Sequence, residues 1–364
     1  MQVLVAMSGG VDSSVAAAML RDAGHEVVGV TLKLWGGESD SGCCSVSDVD
    51  DARRVAQQLD IEHLVFNFGD EFMASVVEPY VADHAAGRTP NPCIECNRHL
   101  KFDRLAVRAA ALGFDAVATG HHARIAQDAT GALRIARGVD RAKDQSYVLH
   151  MLTATQLAGV LLPIGGLTKA EVRIRAERLG LRTAGKPDSQ DVCFISHAGG
   201  GRSTFLGDRI ALRPGRLVSR DGTEVGTVDA VELVTIGQRR GLGLAGDGSP
   251  RYALEIDVAS ATVTVGHAEE LLVGGESIGS FSWVDDEARQ HVASGGVVTA
   301  QVSAHGEPLE VDAVEVHLSG TDGSAAAVDG SIRVVWARPQ RRIAPGQSIV
   351  LYDGDCVLGG GIVG

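Results

Sequence analysis

Several things are missing from this 364-residue chain, and each absence narrows what it can be. No apolar run approaches the ~20 residues that a bilayer-spanning helix needs. Met1 to Val5 passes straight into a glycine turn, without the basic start and small-residue cleavage site of a secretory leader. The expected location is therefore the cytoplasm, away from any membrane. Lysine stops at Lys186, so every later Lys/Arg-type cation is an arginine, the residue whose planar fork suits phosphate. The net charge of −13 excludes a broad basic face of the kind that non-specific nucleic-acid binders carry. The deficit is uneven: 21 Lys and Arg face 24 Asp and Glu in residues 1–203, and 12 face 22 beyond. Cysteine is scarce at six residues, and structural disulfides are not expected in a cytoplasmic chain of this size. Gly-x-x-x-x-Gly-Lys-Ser/Thr does not occur, which excludes a Walker-type phosphate loop.

What is present divides the chain near residue 197. Before it, short apolar runs alternate with helical spacing. Val3–Ala6, Val27–Val30, His63–Phe66 and Ala116–Thr119 read as strands. Val11–Ala23, Asp48–Leu59, Phe72–Ala86 and the capped segment Thr168–Leu179 read as helices. That alternation implies an α/β domain with a mostly parallel sheet covered on both faces. A glycine-rich connector, 197–202, follows. Beyond it, β-branched runs alternate with Pro214-Gly215, Asp221-Gly222, Asp247-Gly248 and Asp353-Gly354, the pattern of small β-barrels or sandwiches. A second break near Glu269–Gly275 gives the expected division: 1–203, 204–270 and 271–364.

The strongest motif is Ser8-Gly9-Gly10-Val11-Asp12-Ser13-Ser14, between the first strand and the first helix. Glycines let the backbone turn tightly, the helix N-terminus offers unpaired N–H groups, and the serines add donors. The segment is an anion cradle in the right context. Gly241-Leu-Gly243-Leu-Ala-Gly246 matches a dinucleotide fingerprint on paper, but Asp-Gly-Ser-Pro follows it rather than a helix, so it reads as a loop.

Cys93 and Cys96 sit in Thr89-Pro-Asn-Pro-Cys-Ile-Glu-Cys-Asn97, where two prolines stiffen the entry to a helix. Thiols near helix N-termini carry a larger thiolate fraction, and Arg98 and Lys101 favour the same state. Cys193 lies in Pro187-Asp-Ser-Gln-Asp-Val-Cys-Phe-Ile195. Cys356 reads as a small buried residue and Cys43-Cys44 as a loop pair without a catalytic role. One Cys-x-x-Cys plus a distant cysteine falls short of a four-ligand zinc site. Gly120-His121-His122 follows a strand end, where ligands gather in parallel sheets, and Lys143-Asp-Gln-Ser-Tyr147 is a polar cluster.

The cradle resembles the loop of the N-type ATP pyrophosphatases, which cleave ATP between its α and β phosphates. The whole set is similar to the tRNA-specific 2-thiouridylases, which place sulfur on carbon 2 of the wobble uridine. The motifs that carry this are Ser8–Ser13, Thr89–Pro92 with Cys96-Asn97, Thr119-Gly-His121, Lys143–Tyr147, Asp188-Ser189 with Cys193–Ile195, Thr235–Leu242, Pro345-Gly-Gln347 and Leu358–Gly361. They run in order over nearly the whole chain. The resemblance implies an adenine-nucleotide domain followed by a small β domain and a β-barrel. It implies ATP on Ala6, Met7, Ser8, Gly9, Gly10, Val11, Asp12 and Ser13, with magnesium on its phosphates and Leu32 and Gly120 bordering the adenosine. Cys193 matches the cysteine that takes up a persulfide from a sulfur carrier or a cysteine desulfurase, and Cys96 its partner. His121, Lys143, Asp144, Gln145 and Gln347 match tRNA-contacting positions.

Two positions depart from the family pattern. Many relatives have an aspartate three residues before the first cysteine, where this chain has Cys93. Three thiolates, Cys93, Cys96 and Cys193, could then hold an iron–sulfur cluster with one open iron. An Arg-Tyr pair that contacts tRNA in some relatives is replaced near Val302-Ser303. Two other readings stay open at this point: a synthetase of the same loop class that adenylates a small molecule, and a non-catalytic tRNA-binding protein.

Overall fold

A computed structural model describes residues 1–34, 46–127, 131–187, 192–195, 200–243, 249–317 and 331–364. Cys43-Cys44, Asp188-Ser189, Asp247-Gly248 and the first half of the 197–202 connector lie outside the described residues. The chain forms two compact units. One comprises Met1–Val77, Pro92–Gly201 and Asp355–Leu358; the other comprises Glu78–Asn91, Arg202–Gly354 and Gly359–Gly364.

In the first unit, β1 (Gln2–Ala6), α1 (Val11–Asp22), β2 (Glu26–Lys33), α2 (Val46–Gln58), β3 (Glu62–Asn67), β4 (Ala116–Ala118), β5 (Ala123–Gln127), β6 (Leu133–Arg137) and β7 (Val160–Leu161) follow one another. Five of the strands form a parallel sheet in the order β3-β2-β1-β4-β7. Val3, Leu4 and Val5 of β1 are wholly buried, as a central strand covered on both faces requires. The chain leaves β1 towards β2 on one side, and β4 flanks it on the other. That makes the carboxyl ends of β1 and β4 a topological switch point, the place where parallel sheets bind ligands. The α1 helix buries Val11, Val15 and Leu20 and ends before Gly24, whose φ of +85° suits glycine. The helix Lys169–Arg178 starts at the expected capping box. Glu171 N–H donates to Thr168 Oγ1 (3.3 Å), and Thr168 N–H donates to Glu171 Oε2 (2.7 Å).

Two local features differ from the sequence reading. The helical stretch expected from Phe72 to Ala86 is Gly69–Phe72, a wider-wound Met73–Val77 and Glu78–Ala85, and its last part belongs to the second unit. Cys96–Arg104 is wound in the same wider way, a conformation common at functional sites. The antiparallel hairpin of β5 and β6 was not expected, because arginines interrupt its short apolar runs. Ala136 of β6 pairs with Cys356.

The second unit holds a four-stranded sheet, β10-β11-β8-β9, of β8 (Gly215–Val218), β9 (Glu224–Val228), β10 (Tyr252–Asp257) and β11 (Thr262–Gly266). Its core gathers Leu217, Val231, Ala253 and Val263. The Pro214-Gly215 turn is not formed: Gly215 opens β8, and a Cβ there would lie 3.1 Å from that of Val231. Asp221-Gly222 and Asp353-Gly354 are turns, with glycine φ of +85° and +53°. The remaining strands are β12 (Leu272–Trp283), β13 (Thr299–Gln301), β14 (Leu309–His317), β15 (Ser331–Arg341), β16 (Ser348–Asp353) and β17 (Cys356–Val363). They run β12-β15-β14-β13-β16-β17, and β17 pairs back onto β12, so six strands close a barrel.

The core of the first unit stores a pH dependence at His150, which is 1% exposed. Burial, reinforced by the Arg98 charge, pushes its pKa from 6.5 down to about 3. Between these values the unfolded chain binds a proton that the folded chain does not, so stability falls as pH drops through this window. Chemical denaturation of His150→Leu between pH 7 and 4 is expected to show an acid limb shallower by one proton than the wild type. An unchanged slope would contradict a buried neutral imidazole.

Candidate active site

The cradle forms where β1 ends. Gly9 has φ +70°, and a Cβ there would lie 2.4 Å from the Asp48 carbonyl oxygen, so only glycine lets the loop pass α2. Ser8 N–H donates to Ser13 Oγ (3.2 Å), and Ser13 Oγ and Ser14 Oγ donate to the Gly10 carbonyl (3.2 and 2.7 Å). The serines thus fix the loop onto the first turn of α1 and leave the helix N-terminus facing the switch point. Gly120, just beyond β4, closes the other side. A Cβ on it would lie 2.5 Å from Ser13 N and 2.7 Å from the Asp12 carbonyl carbon. Leu32, near the end of β2, is buried at 7% exposure.

Charged side chains surround this loop, and the sequence had not singled out most of them. Lys169 Nζ donates to both oxygens of Asp12 (2.8 and 2.7 Å), and His122 Nε2 donates to Asp12 Oδ1 (3.2 Å). Burial raises the Asp12 pKa, but the hydrogen bonds and charges of His122 and Lys169 outweigh it and hold the carboxyl below its ordinary 3.8. On the α2 side, Lys186 Nζ donates to the Gly9 carbonyl (3.0 Å), Asp48 Oδ1 (2.6 Å) and Asp51 Oδ2 (2.9 Å). Lys169 was visible only as part of a capping box, and Lys186 only as the last lysine.

The other expected site residues separate into buried and accessible ones. His121 is buried, with Nδ1 2.7 Å from Thr119 Oγ1, and burial, with Lys101 and His122 nearby, holds its pKa well below 6.5. Asp144 is 3% exposed. Its carboxylate accepts from Gly138 N–H (2.8 Å), Ser146 N–H (3.1 Å), Ser146 Oγ (2.8 Å) and Arg137 Nη1 (3.3 Å). Gln145 exchanges two hydrogen bonds of 2.9 Å with the backbone of His122. Lys143, just before Asp144, is half-buried. In the second unit, Gln347 Nε2 donates to the Thr89 carbonyl, and Thr89 N–H donates to that of Pro345 (2.7 Å), so the Thr89–Asn91 strap is tied to the Pro345–Gln347 turn.

The four described cysteines are thiols. Pro92 opens a short helix and places the exposed Cys93 in its first turn. The buried Cys96 comes one turn later, so the helix-terminus argument applies to Cys93 more directly than to Cys96. Asn97 is held by Nδ2 donating to the Val148 carbonyl (3.0 Å). Cys193 is half-buried. The next residue, Phe194, packs edge-on to Phe72 with centroids 5.5 Å apart, which anchors its segment. Among the described residues no group of three His, Cys, Asp or Glu side chains is arranged to hold a metal ion. Arg239, Arg240, Arg338, Arg341 and Arg342 are all exposed in the second unit, and none forms an ion pair with a described residue. No helix among the described residues is long and apolar enough to cross a membrane.

Comparison with known proteins bears on this arrangement. Residues 1–197 match the tRNA methyl transferase HUP domain, 203–267 the tRNA methyl transferase PRC-barrel domain and 277–363 the aminomethyltransferase beta-barrel domain. A tRNA-specific 2-thiouridylase of Roseiflexus sp. is 45% identical over 99% of this chain and 98% of its own. One from Mycolicibacterium smegmatis is 46% identical over 98% of each. The chain belongs to the tRNA-specific 2-thiouridylase family. Among solved structures, a 4-thiouridine synthetase–RNA complex with bound ATP is 21% identical, with TM-score 0.37 over 53% of this chain and 44% of that one, and adds nothing to the assignment.

For a 2-thiouridylase, the buried residues are expected to act through their neighbours. Asp144→Ala removes the buried carboxylate that holds Gly138, Ser146 and Arg137 and is expected to cost about 3–5 kcal/mol of stability, whereas Lys143→Ala, if the residue serves tRNA as expected, is to lower tRNA affinity more than it changes the melt. Thermal unfolding and tRNA binding of both variants check this, and a fully stable Asp144→Ala protein would refute the structural placement. Gly120→Ala forces backbone apart at the cradle, an overpacking of about 1–3 kcal/mol. It is expected to weaken ATP binding by roughly ten- to a hundredfold while tRNA binding holds. Calorimetric titration with ATP measures it.

Proposed function

We propose that this chain thiolates carbon 2 of the wobble uridine of tRNA at the expense of ATP. The observation that carries this reading is full-length similarity to the 2-thiouridylases together with an intact cradle at the switch point. The domains are assigned as 1–203 for nucleotide and sulfur chemistry, 204–270 as a small β domain and 271–364 as a barrel domain.

A uracil carbonyl oxygen is a poor leaving group. In the first step the C2 oxygen attacks the α-phosphorus of ATP and displaces pyrophosphate, which converts that oxygen into part of a good leaving group, AMP. Ala6 to Ser13 hold the phosphates through backbone N–H groups and hydroxyls, and Leu32 and Gly120 border the adenosine. Asp12, with its side chain 29% exposed at the cradle, suits a divalent cation such as magnesium. The cation would offset phosphate charge. In the second step Cys193 carries a persulfide received from a sulfur-carrier protein or a cysteine desulfurase. Its outer sulfur attacks C2 and AMP departs. The Cys96 thiolate then attacks the inner sulfur of Cys193. The outer sulfur stays on the base with the electron pair of the broken S–S bond, and a Cys96–Cys193 disulfide forms. A cellular thiol reductant reopens that disulfide for the next turnover.

Lys143, Gln145 and Gln347 are assigned to tRNA. His121 and Asp144, being buried, serve by holding the loop that presents them. The target base must leave the anticodon stack, a cost of a few kcal/mol that is smaller in a loop than in a duplex. The exposed arginines of the second unit supply local phosphate contacts. An iron–sulfur route would need Cys93, Cys96 and Cys193 gathered as one ligand set. The exposed Cys93 and the buried Cys96 a turn apart favour the persulfide route.

The test is mass spectrometry of tRNA nucleosides after incubation with ATP and a persulfide donor. The wild-type chain is expected to produce 2-thiouridine. Cys96→Ser and Cys193→Ser are each expected to lower it at least about a hundredfold, as loss of a covalent participant does; Cys93→Asp is expected to retain it. Absence of 2-thiouridine with the wild type would overturn the function. Full activity in Cys96→Ser would overturn the paired-thiol step.

A further inference from the structure

The β5–β6 hairpin and the turn after it hold a charge surplus that the site described above does not use. Residues 123–147 carry five Lys and Arg (Arg124, Arg134, Arg137, Arg141 and Lys143) against three Asp and no Glu, in a chain whose net charge is −13. Two of those aspartates are engaged elsewhere. Asp144 is bonded to Arg137 (3.3 Å). Asp140 caps the short turn Arg141–Lys143 by accepting from Ala142 N–H (3.2 Å), and it accepts from Lys169 N–H (2.9 Å). Neither carboxylate is bonded to Arg124 or Arg141.

The partner of these two arginines comes from the far end of the sequence. Asp355 directly precedes β17 and belongs to the first unit. Its Oδ2 accepts from Arg124 Nη2 (2.9 Å) and its Oδ1 from Arg141 Nη2 (2.6 Å), one oxygen for each. The backbone of Asp355 is held too: Arg137 N–H donates to its carbonyl (2.9 Å), and Cys356 pairs with Ala136. Arg124 is fixed a second time, with Nε donating to the Arg137 carbonyl (2.7 Å). One anchored carboxylate thus sets the orientation of two guanidiniums.

Stability does not account for this arrangement. The side chains of Arg124, Arg141 and Asp355 are 40%, 57% and 39% exposed, and exposed ion pairs add little to folding. Two guanidiniums against one carboxylate leave a positive charge over, and Lys143 follows Arg141 by two residues. Arg141 Nε and Nη1 and Arg124 Nη1 have no acceptor among the described residues. Oriented guanidinium donors with surplus charge match the oxygens of a phosphate.

We propose that Arg124 and Arg141, aligned by Asp355, bind a backbone phosphate of tRNA beside Lys143. Asp355 is a positioning residue: it lowers the local positive charge but holds both guanidinium planes in place. The occupant is a phosphodiester rather than free phosphate, because a site this open to solvent gains affinity only as one of several contacts along a backbone. The inference rests on the tRNA reading above and extends it to two arginines not yet assigned to tRNA.

The test is tRNA binding over a range of salt concentrations, with ATP binding and thermal unfolding measured on the same proteins. Arg141→Ala is expected to weaken tRNA binding about tenfold at low salt and to lower the slope of log K against log salt by roughly one, as loss of a single phosphate contact does. Its ATP binding is expected to hold. Arg141→Lys keeps the charge without the fork, so it is expected to restore the slope and only part of the affinity. Asp355→Ala makes the surface more positive. A mere attraction of charges would then bind tRNA more tightly, whereas lost alignment is expected to weaken it several-fold. Asp355→Asn keeps the shape of the side chain and guards against misfolding of the alanine variant; it is expected to fall between Asp355→Ala and the wild type.

An unchanged salt slope in Arg141→Ala, with only the melting temperature lowered, makes the ion pairs structural and overturns the proposal. Tighter tRNA binding by Asp355→Asn overturns it as well, because the carboxylate then only opposes the RNA. A wild-type chain that does not bind tRNA at low salt defeats the functional reading itself, a result distinct from either.

Discussion

The site depends on how closely two stretches of backbone can approach. β1 and β4 are neighbours in the sheet, so their carboxyl ends open onto the same crevice. At Gly120 the chain leaving β4 passes the first turn of α1 with too little room for one more carbon, and at Gly9 the loop passes α2 in the same way. These two contacts set where the helix N-terminus points and what faces it. The serine hydroxyls, buried against the Gly10 carbonyl, then lock the loop rather than leaving it to be ordered by a ligand. Preorganisation of this kind spares a binding site the entropy of arranging its own donors.

Charge is organised locally against a net deficit. The acidic groups closest to the cradle, Asp12, Asp48 and Asp51, are each matched by a lysine or histidine brought from a distant part of the sequence. The pairs are partly buried, where Coulomb terms are screened less than at the surface. The second unit has the larger acidic surplus, yet the five arginines considered for phosphate stand exposed, and Arg342 alone among them has a carboxylate, Glu276, near enough among the described residues to feel its charge. A chain with charge −13 can therefore present cations to an RNA backbone at chosen points while repelling it elsewhere.

The persulfide route proposed above would use three thiols that the structure holds in three different environments. Cys93 is exposed in the first turn of its helix, Cys96 is buried one turn on, and Cys193 is half-buried beside an anchored phenylalanine. A thiol that must receive sulfur from a protein donor needs access, whereas one that resolves a persulfide inside the site does not. The wide winding that begins at Cys96 alters the helical repeat where the buried thiol must be aimed.

Much of this was legible in the residue order. The β1 run Val3-Leu4-Val5, the glycine-serine loop, the Thr168–Glu171 capping box and the β-rich second half all follow from local rules: apolar periodicity, turn chemistry and capping act over a few residues and leave their mark there. The paired motifs also pointed to the family. What local rules could not reach were contacts between residues far apart in the chain. Lys169 on Asp12, Lys186 on Gly9 and Gln347 on Thr89 of the strap have sequence separations of 157, 177 and 258 residues. The same holds for the burial of His121 and Asp144, polar residues that sequence places at the surface and that hydrogen bonds draw inside. The β5–β6 hairpin escaped notice because its strands are short and broken by arginines, and Gly215 was misread as a turn because close packing, not a turn, excludes its Cβ. The sequence alone determined which chemical groups the chain carries and in what local conformations. Only the tertiary structure decided which of them meet, because proximity across the chain is set by sheet order and packing rather than by neighbours in the sequence.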